Sequence, residues 1–273
     1  MIVFPNCKIN LGLYILGKRT DAYHNLETAF YPLPFCDVLE VIQSSNSKQQ
    51  YELFLSGNKI EDEHENNLCI KAYHLLKKDF PQLPSIKIYL HKVIPSGAGL
   101  GGGSADGAFM LMLLNDKFHL QLSQQQLLNY ALLLGSDCPF FIINKPCFAQ
   151  QRGEILEPVQ VSLSAYKLML INPGIHVNTA WAFTQIQFSN PNNIKAVITK
   201  PVEEWKNNLT NDFELPVFTK YPEIKNIKDH LYSLGALYAS MSGSGSTVFG
   251  IFEKNSIINQ KNFPSHYFVK EFA

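Results

Sequence analysis

The sequence has few cysteines, and none of them stands in a pattern that holds a metal or a disulfide framework. The five cysteines are odd in number and include no C-x-x-C pair, which predicts reduced thiols. The eight histidines include no H-E-x-x-H motif, which excludes the helix of a zinc protease. The sequence therefore predicts no metal site built from protein ligands alone.

An excess of charge of one sign and a long apolar run are also lacking. Lys plus Arg and Asp plus Glu number 23 each among 273 residues, so no overall field draws the chain to nucleic acid or to an anionic membrane. No window approaches 18 consecutive apolar residues, and no basic stretch precedes an apolar core at the N-terminus. These absences predict a cytoplasmic protein whose partners include neither nucleic acid nor membrane. The oligomeric state is left open between a monomer and a homodimer, and the partner indicated by the motifs below is a small-molecule substrate.

Hydrophobic periodicity predicts a mixture of strands and helices. Strands are predicted where apolar residues alternate or run together, over residues 8–17, 38–43, 51–55, 86–94, 138–143 and 166–171, with a hairpin over 238–252. Helices are predicted over residues 67–80, 104–118 and 123–135. Ser104 and Ser123 are the expected N-caps, and Gln126 completes a capping box with Ser123. Residues 189–222 give no clear pattern. Periodicity alone supports only a mixed α/β class.

Five glycines stand in seven positions between a predicted strand and a predicted helix. They are Gly97, Gly99, Gly101, Gly102 and Gly103. Each glycine costs backbone entropy, and a plain turn needs only one or two. Such a loop allows backbone N–H groups to approach an anion closely, next to the positive end of the following helix. The loop is therefore predicted to bind phosphate.

Three better-known glycine loops do not fit these residues. A Walker A loop ends in Gly-Lys-Ser/Thr, whereas Ser104 follows three glycines with no lysine. A protein-kinase loop requires H-R-D and D-F-G motifs downstream, and the sequence has neither. The dinucleotide fingerprint matches residues 97–102, but the acidic residue expected about 20 positions later is missing.

Residues 95–105, Pro-Ser-Gly-Ala-Gly-Leu-Gly-Gly-Gly-Ser-Ala, resemble the phosphate loop of the GHMP kinases, P-x-x-x-G-L-G-S/G-S-S/A. Residues 5–11 and 17–24 resemble the signature P-x-x-K-x-N-L…G-x-R-x-D-G-Y-H of one branch of that family, and residues 134–141 resemble its G-A/S-D-V-P-F-F segment. Residues 241–247 resemble the C-terminal glycine motif of the superfamily. The chain departs from these patterns at Ala22, where glycine is usual, and at Cys138, where valine is common.

The resemblance implies an α/β fold of two domains. Residues 1–155 would form a ribosomal-protein-S5-like, ATP-binding N-terminal domain, and residues 156–273 a C-terminal GHMP-kinase α/β domain, with the active site in the cleft between them. It also implies an activity, the transfer of a phosphate from ATP to the 2-hydroxyl of 4-diphosphocytidyl-2-C-methyl-D-erythritol, with Mg²⁺ as a cofactor. This reaction belongs to non-mevalonate isoprenoid precursor synthesis.

The resemblance assigns roles in catalysis and in nucleotide binding. Asp137 would accept the proton of the attacking hydroxyl as a general base, and Lys8 would keep that carboxylate ionised. Ser104 would lie beside the phosphates, close to the magnesium. The ATP-binding residues would be Pro95, Ser96, Gly97, Ala98, Gly99, Leu100, Gly101, Gly102, Gly103, Ser104 and Ala105.

The resemblance also assigns residues to the acceptor. Tyr23 and His24 would form a cytidine pocket, with ring stacking and imidazole hydrogen bonds to the base, and Phe30 would add a wall. Asn10, two residues after Lys8 on the same face of a strand, would orient the catalytic network.

Other interpretations of these residues remain open. From the residues alone, a turn carboxylate is the commoner role for Asp137. Lys8 can equally be a snorkelling surface lysine, and Tyr23 and His24 ordinary surface aromatics. Two other functions remain as well, a GHMP kinase for another alcohol such as homoserine or a mevalonate, and a catalytically dead nucleotide-binding sensor. The aromatic pair argues against the first, and intact Lys8 and Asp137 argue against the second.

Overall fold

The structure is a computed structural model that describes residues 1–21, 23–45, 49–59, 64–186, 188 and 193–272. The departure at Ala22 lies outside the described residues, and so does most of the acidic run at residues 61–65. Within these ranges, no helix is long and apolar enough to cross a membrane. The five cysteines are free thiols, as predicted.

Strands and helices are mixed along the chain. The strands are β1 (Ile2–Val3), β2 (Asn6–Lys18), β3 (His24–Cys36), β4 (Val38–Gln43), β5 (Tyr51–Gly57), β6 (Ile86–Lys92), β7 (Cys147–Gln151), β8 (Ile155–Pro158), β9 (Tyr166–Asn172), β10 (Tyr238–Met241), β11 (Val248–Glu253) and β12 (Phe268–Phe272). The α-helices are α1 (Leu68–Asp79), α2 (Gly102–Phe118), α3 (Gln124–Leu134), α4 (Cys138–Ile143), α5 (Thr179–Thr184), α6 (Ile194–Ile198), α7 (Glu214–Lys220) and α8 (Pro222–Ser233).

The chain forms two compact units, and both are discontinuous in sequence. The first consists of Met1–Lys8, Pro32–Ser96 and Gly101–Lys145, and the second of Ile9–Tyr31, Gly97–Leu100 and Pro146–Ala273. The glycine loop therefore contributes residues to both units. This division does not coincide with the domain boundary after residue 155, which stays a prediction.

The first unit is built on a sheet of order β1-β4-β6-β5, in which β5 runs parallel to β6 and the other pairs are antiparallel. Residues alternate along β4 and β6, so that Leu39, Val41, Ile88 and Leu90 are buried and their neighbours are more exposed. Such alternation is typical of a sheet with one face in the core. β6 ends at buried Lys92, directly before the glycine loop.

The sheet of order β10-β11-β9-β12 lies in the second unit. The strands of the sheet of order β2-β3-β7-β8 also belong to the second unit, except residues 6–8 of β2 and 32–36 of β3, which belong to the first. β10 and β11 form the predicted antiparallel hairpin, in which Met241 pairs with Val248. A hydrophobic cluster joins residues of β2, β9, α7 and α8, including Leu13, Ile171, Val217 and Leu231.

Helix signals from local sequence are largely confirmed. Asn67 caps α1 by accepting a hydrogen bond from the Cys69 amide at 2.9 Å. The capping box of Ser123 and Gln126 is present at the start of α3. Each cap satisfies amide groups that the helix leaves without partners, which fixes where the helix begins.

The structure contradicts both the strand predicted at residues 138–143 and the N-cap predicted at Ser104. Residues 138–143 form α4, because a short apolar run fits either structure and Pro139 suits the first turn of a helix. α2 begins at Gly102, and its N-cap is Gly101, which has a left-handed φ of 70°. Ser104 therefore lies in the first turn of α2.

Candidate active site

Lys8 and Asp137, predicted as the catalytic pair, form an ion pair in the first unit. Lys8 Nζ lies 3.4 Å from Asp137 Oδ2, and the two side chains are 4% and 35% exposed. Asp137 occupies the N-cap position of α4, but its side chain makes no capping hydrogen bond. Its carboxylate is therefore held beside a buried ammonium group and remains accessible to a ligand.

The part of the glycine loop in the first unit packs directly on this pair. Gly101 has positive φ, and a Cβ atom at this position would lie 3.0 Å from Phe141 Cζ and 3.1 Å from Lys8 Cε. A side chain here would displace the lysine. Gly103 is different, because it is exposed and a Cβ atom would meet nothing within 4 Å. The first turn of α2 therefore presents open backbone N–H groups, which suit an anion.

The part of the loop in the second unit packs against the C-terminal glycine motif. A Cβ atom on Gly99 would lie 2.0 Å from the carbonyl oxygen of Ser242. The Ser242 hydroxyl donates to the Gly99 carbonyl at 2.8 Å, and the Thr247 amide donates to the Ala98 carbonyl at 3.2 Å. The motif thus supports the loop, a contact that the sequence analysis did not predict.

Asn10 is buried in β2 and forms hydrogen bonds both to the C-terminal glycine motif and to β3. Its backbone amide donates to the Ser242 hydroxyl at 3.2 Å, and its side-chain Nδ2 donates to Thr28 Oγ1 at 2.9 Å. Thr28 in turn donates to the Gly12 carbonyl at 2.5 Å. Asn10 is therefore part of a hydrogen-bond network with fixed geometry. Its role toward a substrate stays a prediction.

Tyr23 and His24 lie in the second unit, each against a different neighbour. Tyr23 is 53% exposed, and the Arg152 guanidinium lies 4.7 Å from its ring centroid. His24 stacks on Phe183, with centroids 4.6 Å apart and the ring planes 13° apart. Burial, with a smaller effect of Lys18, lowers the pKa of His24, which favours the neutral imidazole at pH 7. Local sequence gave no signal for the contact with Phe183.

Arg19 and Asp21 form an ion pair next to Tyr23. Arg19 Nε donates to both carboxylate oxygens of Asp21 at 3.1 Å. Asp21 Oδ1 also accepts from the Tyr23 amide at 3.2 Å, and the Arg19 amide donates to the Tyr23 carbonyl at 2.8 Å. The hydrogen bond from Arg19 lowers the pKa of Asp21, so both members of this ion pair are charged at neutral pH.

Phe30 and Ser104 are two further predicted site residues. Phe30 is only 3% exposed within β3, and its role as a pocket wall stays a prediction. Ser104 forms a hydrogen bond with the Cys138 thiol. Burial raises the pKa of this thiol to about 12. Cys138 thus acts as a small buried residue, as its replacement of valine suggested.

A buried ionic cluster that the sequence analysis missed lies in the first unit. Lys92 Nζ binds Asp37 Oδ2, and it binds Asp106 Oδ2 at 2.6 Å. The three side chains are at most 5% exposed. Burial raises the pKa of Asp106 to about 7; the Lys92 charge opposes this rise and the Asp37 charge adds to it.

The stability of the Asp106→Asn variant relative to the parent is expected to rise between pH 5 and pH 8. At both pH values Asp106 is ionised in the unfolded chain, whereas the folded chain retains the proton up to about pH 7. The native state therefore binds more protons, and the parent loses stability as pH rises, levelling off above pH 7. The difference in free energy of unfolding should grow by roughly 2 kcal/mol. Urea unfolding of both proteins measures it, and a difference independent of pH would contradict the raised pKa.

Comparison with known families gives matches in both halves of the chain. The family described as "GHMP kinases N terminal domain" matches residues 67–145, and "GHMP kinases C terminal" matches residues 193–268. A 4-diphosphocytidyl-2-C-methyl-D-erythritol kinase of Bacteroides fragilis strain YCH46 is 55% identical over 98% of this chain and 97% of its own. A protein of the same name from Cytophaga hutchinsonii is 49% identical over 92% of each chain.

Solved structures agree with these sequence matches. A crystal structure of 4-(cytidine 5'-diphospho)-2C-methyl-D-erythritol kinase superposes with a TM-score of 0.80 at 31% identity, covering 93% of this chain and 91% of the other. The mevalonate kinase of Methanococcus jannaschii has a TM-score of 0.70 at 14% identity, covering 100% of this chain and 96% of the other. That second likeness shows a shared fold alone.

Proposed function

Since the chain belongs to the GHMP kinases, and among them to the 4-diphosphocytidyl-2-C-methyl-D-erythritol kinases, we propose that it transfers the γ-phosphate of ATP to the 2-hydroxyl of 4-diphosphocytidyl-2-C-methyl-D-erythritol. The observation that carries this proposal is the pairing of Lys8 with Asp137 against Gly101. In this pairing a carboxylate and an ammonium group lie beside the start of α2, where we propose that the phosphates bind.

In the proposed reaction, Asp137 accepts the proton of the acceptor hydroxyl as its oxygen attacks the γ-phosphorus. The bond between the γ-phosphorus and the bridging oxygen breaks, and ADP leaves. Lys8 pairs with this carboxylate and stabilises negative charge on the attacking oxygen. Because phosphoryl transfer depends mainly on positioning and electrostatics, the two side chains need no covalent intermediate.

ATP is proposed to bind with its phosphates over residues 95–105. The amides of Gly102, Gly103 and Ser104 stand in the first turn of α2 and have no partners within the helix. Mg²⁺ is proposed to arrive with the phosphates. Among the residues that the structure describes, no group of three or more His, Cys, Asp or Glu could hold a metal. The Ser104 hydroxyl and phosphate oxygens are the hard oxygen ligands that Mg²⁺ prefers. The ion would neutralise charge on the phosphates.

The cytidine of the acceptor is proposed to bind at Tyr23 and His24. Each ring has one face against a neighbour, Arg152 for Tyr23 and Phe183 for His24. A neutral imidazole can both donate and accept a hydrogen bond, as the polar edge of cytosine requires. Asn10 is proposed to orient the network near the reacting groups, and Phe30 to support the pocket.

Truncation of Tyr23 to Ala is expected to raise the KM for the cytidylylated acceptor by roughly 10–100-fold, because stacking contributes about 1–3 kcal/mol per base. The KM for ATP should stay the same. Tyr23→Phe keeps the ring and should remain close to the parent. CMP should compete with the acceptor and not with ATP, and methylerythritol phosphate without cytidine should be a very poor substrate. Unchanged acceptor KM in Tyr23→Ala would contradict the cytidine site.

A panel of acceptors separates this proposal from its alternatives. Efficient phosphorylation of homoserine or mevalonate, with no competition by CMP, would leave the kinase but remove the cytidine site. ATP binding without turnover on any acceptor would indicate a sensor, although the Lys8–Asp137 pair argues against one.

A further inference from the structure

We propose that Asp37, Lys92 and Asp106 form a clamp that fixes both arms of the glycine loop and thereby sets its affinity for ATP. The three residues lie in the first unit and come from three places in the sequence: the residue before β4, the end of β6, and the second turn of α2. The inference rests on the proposed function, in which residues 95–105 bind the phosphates.

Asp37 holds the arm that enters the loop. Its Oδ1 accepts from the amides of Val93 and Ile94, at 2.6 Å and 2.9 Å. These are the last amides before the loop, because Pro95 has no N–H group. The Asp37 amide donates to the Pro5 carbonyl at 2.9 Å, so the aspartate is itself anchored. A fully buried carboxylate with two amide donors defines the direction in which the chain leaves β6.

Lys92 connects that arm to the helix that leaves the loop. Its Nζ binds Asp37 Oδ2 and, at 2.6 Å, Asp106 Oδ2. The start of α2 also packs on the same arm, since a Cβ atom on Gly102 would lie 2.9 Å from Ile94 Cγ2 and 3.4 Å from Lys92 Nζ. One ammonium group therefore joins the two ends of the phosphate-binding segment.

The charges of this cluster point to positioning as its role rather than to stability. Two carboxylates share one ammonium, so the cluster carries a net negative charge when both are ionised. Asp106 Oδ1 is buried without a hydrogen-bond partner. The Cys69 thiol of α1, another titratable group whose pKa these charges influence, is buried and its pKa is raised well above its ordinary value. A protein in which apolar side chains of similar volume replace a buried ion pair is often at least as stable as the original.

A fixed loop matters for affinity because anion binding depends on the directions of several N–H groups at once. A loop already held in its binding conformation loses less conformational entropy when the ligand arrives. The clamp residues are therefore positioning residues, and they act through the backbone of residues 93–106. Loosening either arm should weaken ATP binding and leave the acceptor site unaffected.

The test measures ATP affinity by calorimetry at pH 8 in the full-length chain, with Mg²⁺ and without acceptor. Lys92→Met removes the joining cation, and the Kd for ATP is expected to rise by roughly 10-fold or more, with a lower melting temperature. Asp229→Asn is the control, because Asp229 forms an ion pair with Lys225 at which both side chains are more than half exposed. Its Kd should stay within about twofold of the parent's.

A second variant separates positioning from simple loss of stability, and it also serves if Lys92→Met does not fold. Lys92→Met/Asp106→Leu replaces the joining pair with apolar side chains, so it should melt above Lys92→Met while its Kd for ATP remains about 10-fold raised. The KM for the acceptor should equal the parent's. A folded double variant with the parent's ATP affinity would overturn the clamp alone. A parent that does not bind ATP would overturn the proposed function and the clamp together.

Discussion

Replacement of Asp137 with Asn is expected to lower kcat by roughly 10²–10⁴-fold, the contribution of a positioned general base. Asparagine keeps the size and hydrogen-bonding capacity of the side chain but cannot take the proton of the acceptor hydroxyl. The KM for ATP should barely change, because the phosphates are proposed to bind the loop amides. Steady-state kinetics with each substrate varied in turn measure both effects.

Variants of the partner residues show whether Asp137 acts with Lys8. Lys8→Met should also lower kcat, and the double variant should be little worse than the poorer single one, as expected for residues that act as a unit. Asp229→Asn is a matched control, since Asp229 is ion-paired with Lys225 at 2.5 Å and both side chains are more than half exposed. It should have the parent's kcat. Near-normal turnover by Asp137→Asn would contradict the general-base role, and fully additive losses would mean that the two residues act separately.

The Gly103→Val variant is expected to fold normally and to lose measurable ATP binding. A Cβ atom at Gly103 meets nothing within 4 Å, so the protein itself has room for the side chain. The same space is where we propose that a phosphate approaches the first turn of α2. A branched side chain there excludes the ligand without straining the fold. Thermal melting and calorimetric titration with ATP and Mg²⁺ test both halves of this expectation.

Gly103 gives a cleaner test than Gly101. Valine at Gly101 would require positive φ and would press on Phe141 and Lys8, so a loss of binding there would combine backbone strain with blocked access. Gly17→Val is the matched control, because a Cβ atom at Gly17 also meets nothing within 4 Å and it lies outside the loop. It should bind ATP like the parent. Full ATP affinity in a folded Gly103→Val protein would refute the phosphate site.

Local sequence patterns predicted the helices, strands and caps that depend on residues close together in the chain. The capping box at Ser123, the alternation along β4 and β6, and the hairpin of β10 and β11 each depend on neighbouring residues, and each is present. The short helix α4 was missed because six apolar residues have no distinguishing period. The long strand β3 was missed as well. Its prolines and mixed polarity hide the pattern.

In the candidate site, contacts between distant residues were predicted only where the residues belong to a motif. The family resemblance predicted that Lys8 pairs with Asp137 although 129 positions separate them, and the structure brings the two side chains to 3.4 Å. Their catalytic role stays a prediction. Contacts without a motif were not predictable, among them the stack of His24 on Phe183 and the cluster of Asp37, Lys92 and Asp106. Such pairs are selected by packing of distant segments, and no local period or cap encodes them.

The most direct test of the proposed function is ³¹P NMR of a reaction containing the purified chain, ATP, Mg²⁺ and 4-diphosphocytidyl-2-C-methyl-D-erythritol. We predict that ADP and a new phosphomonoester form in equal amounts, with the new phosphate on the 2-hydroxyl, and that neither forms at a comparable rate with homoserine or mevalonate as acceptor. Absence of the phosphomonoester, with ADP formed no faster than in the acceptor-free control, would contradict the proposed function.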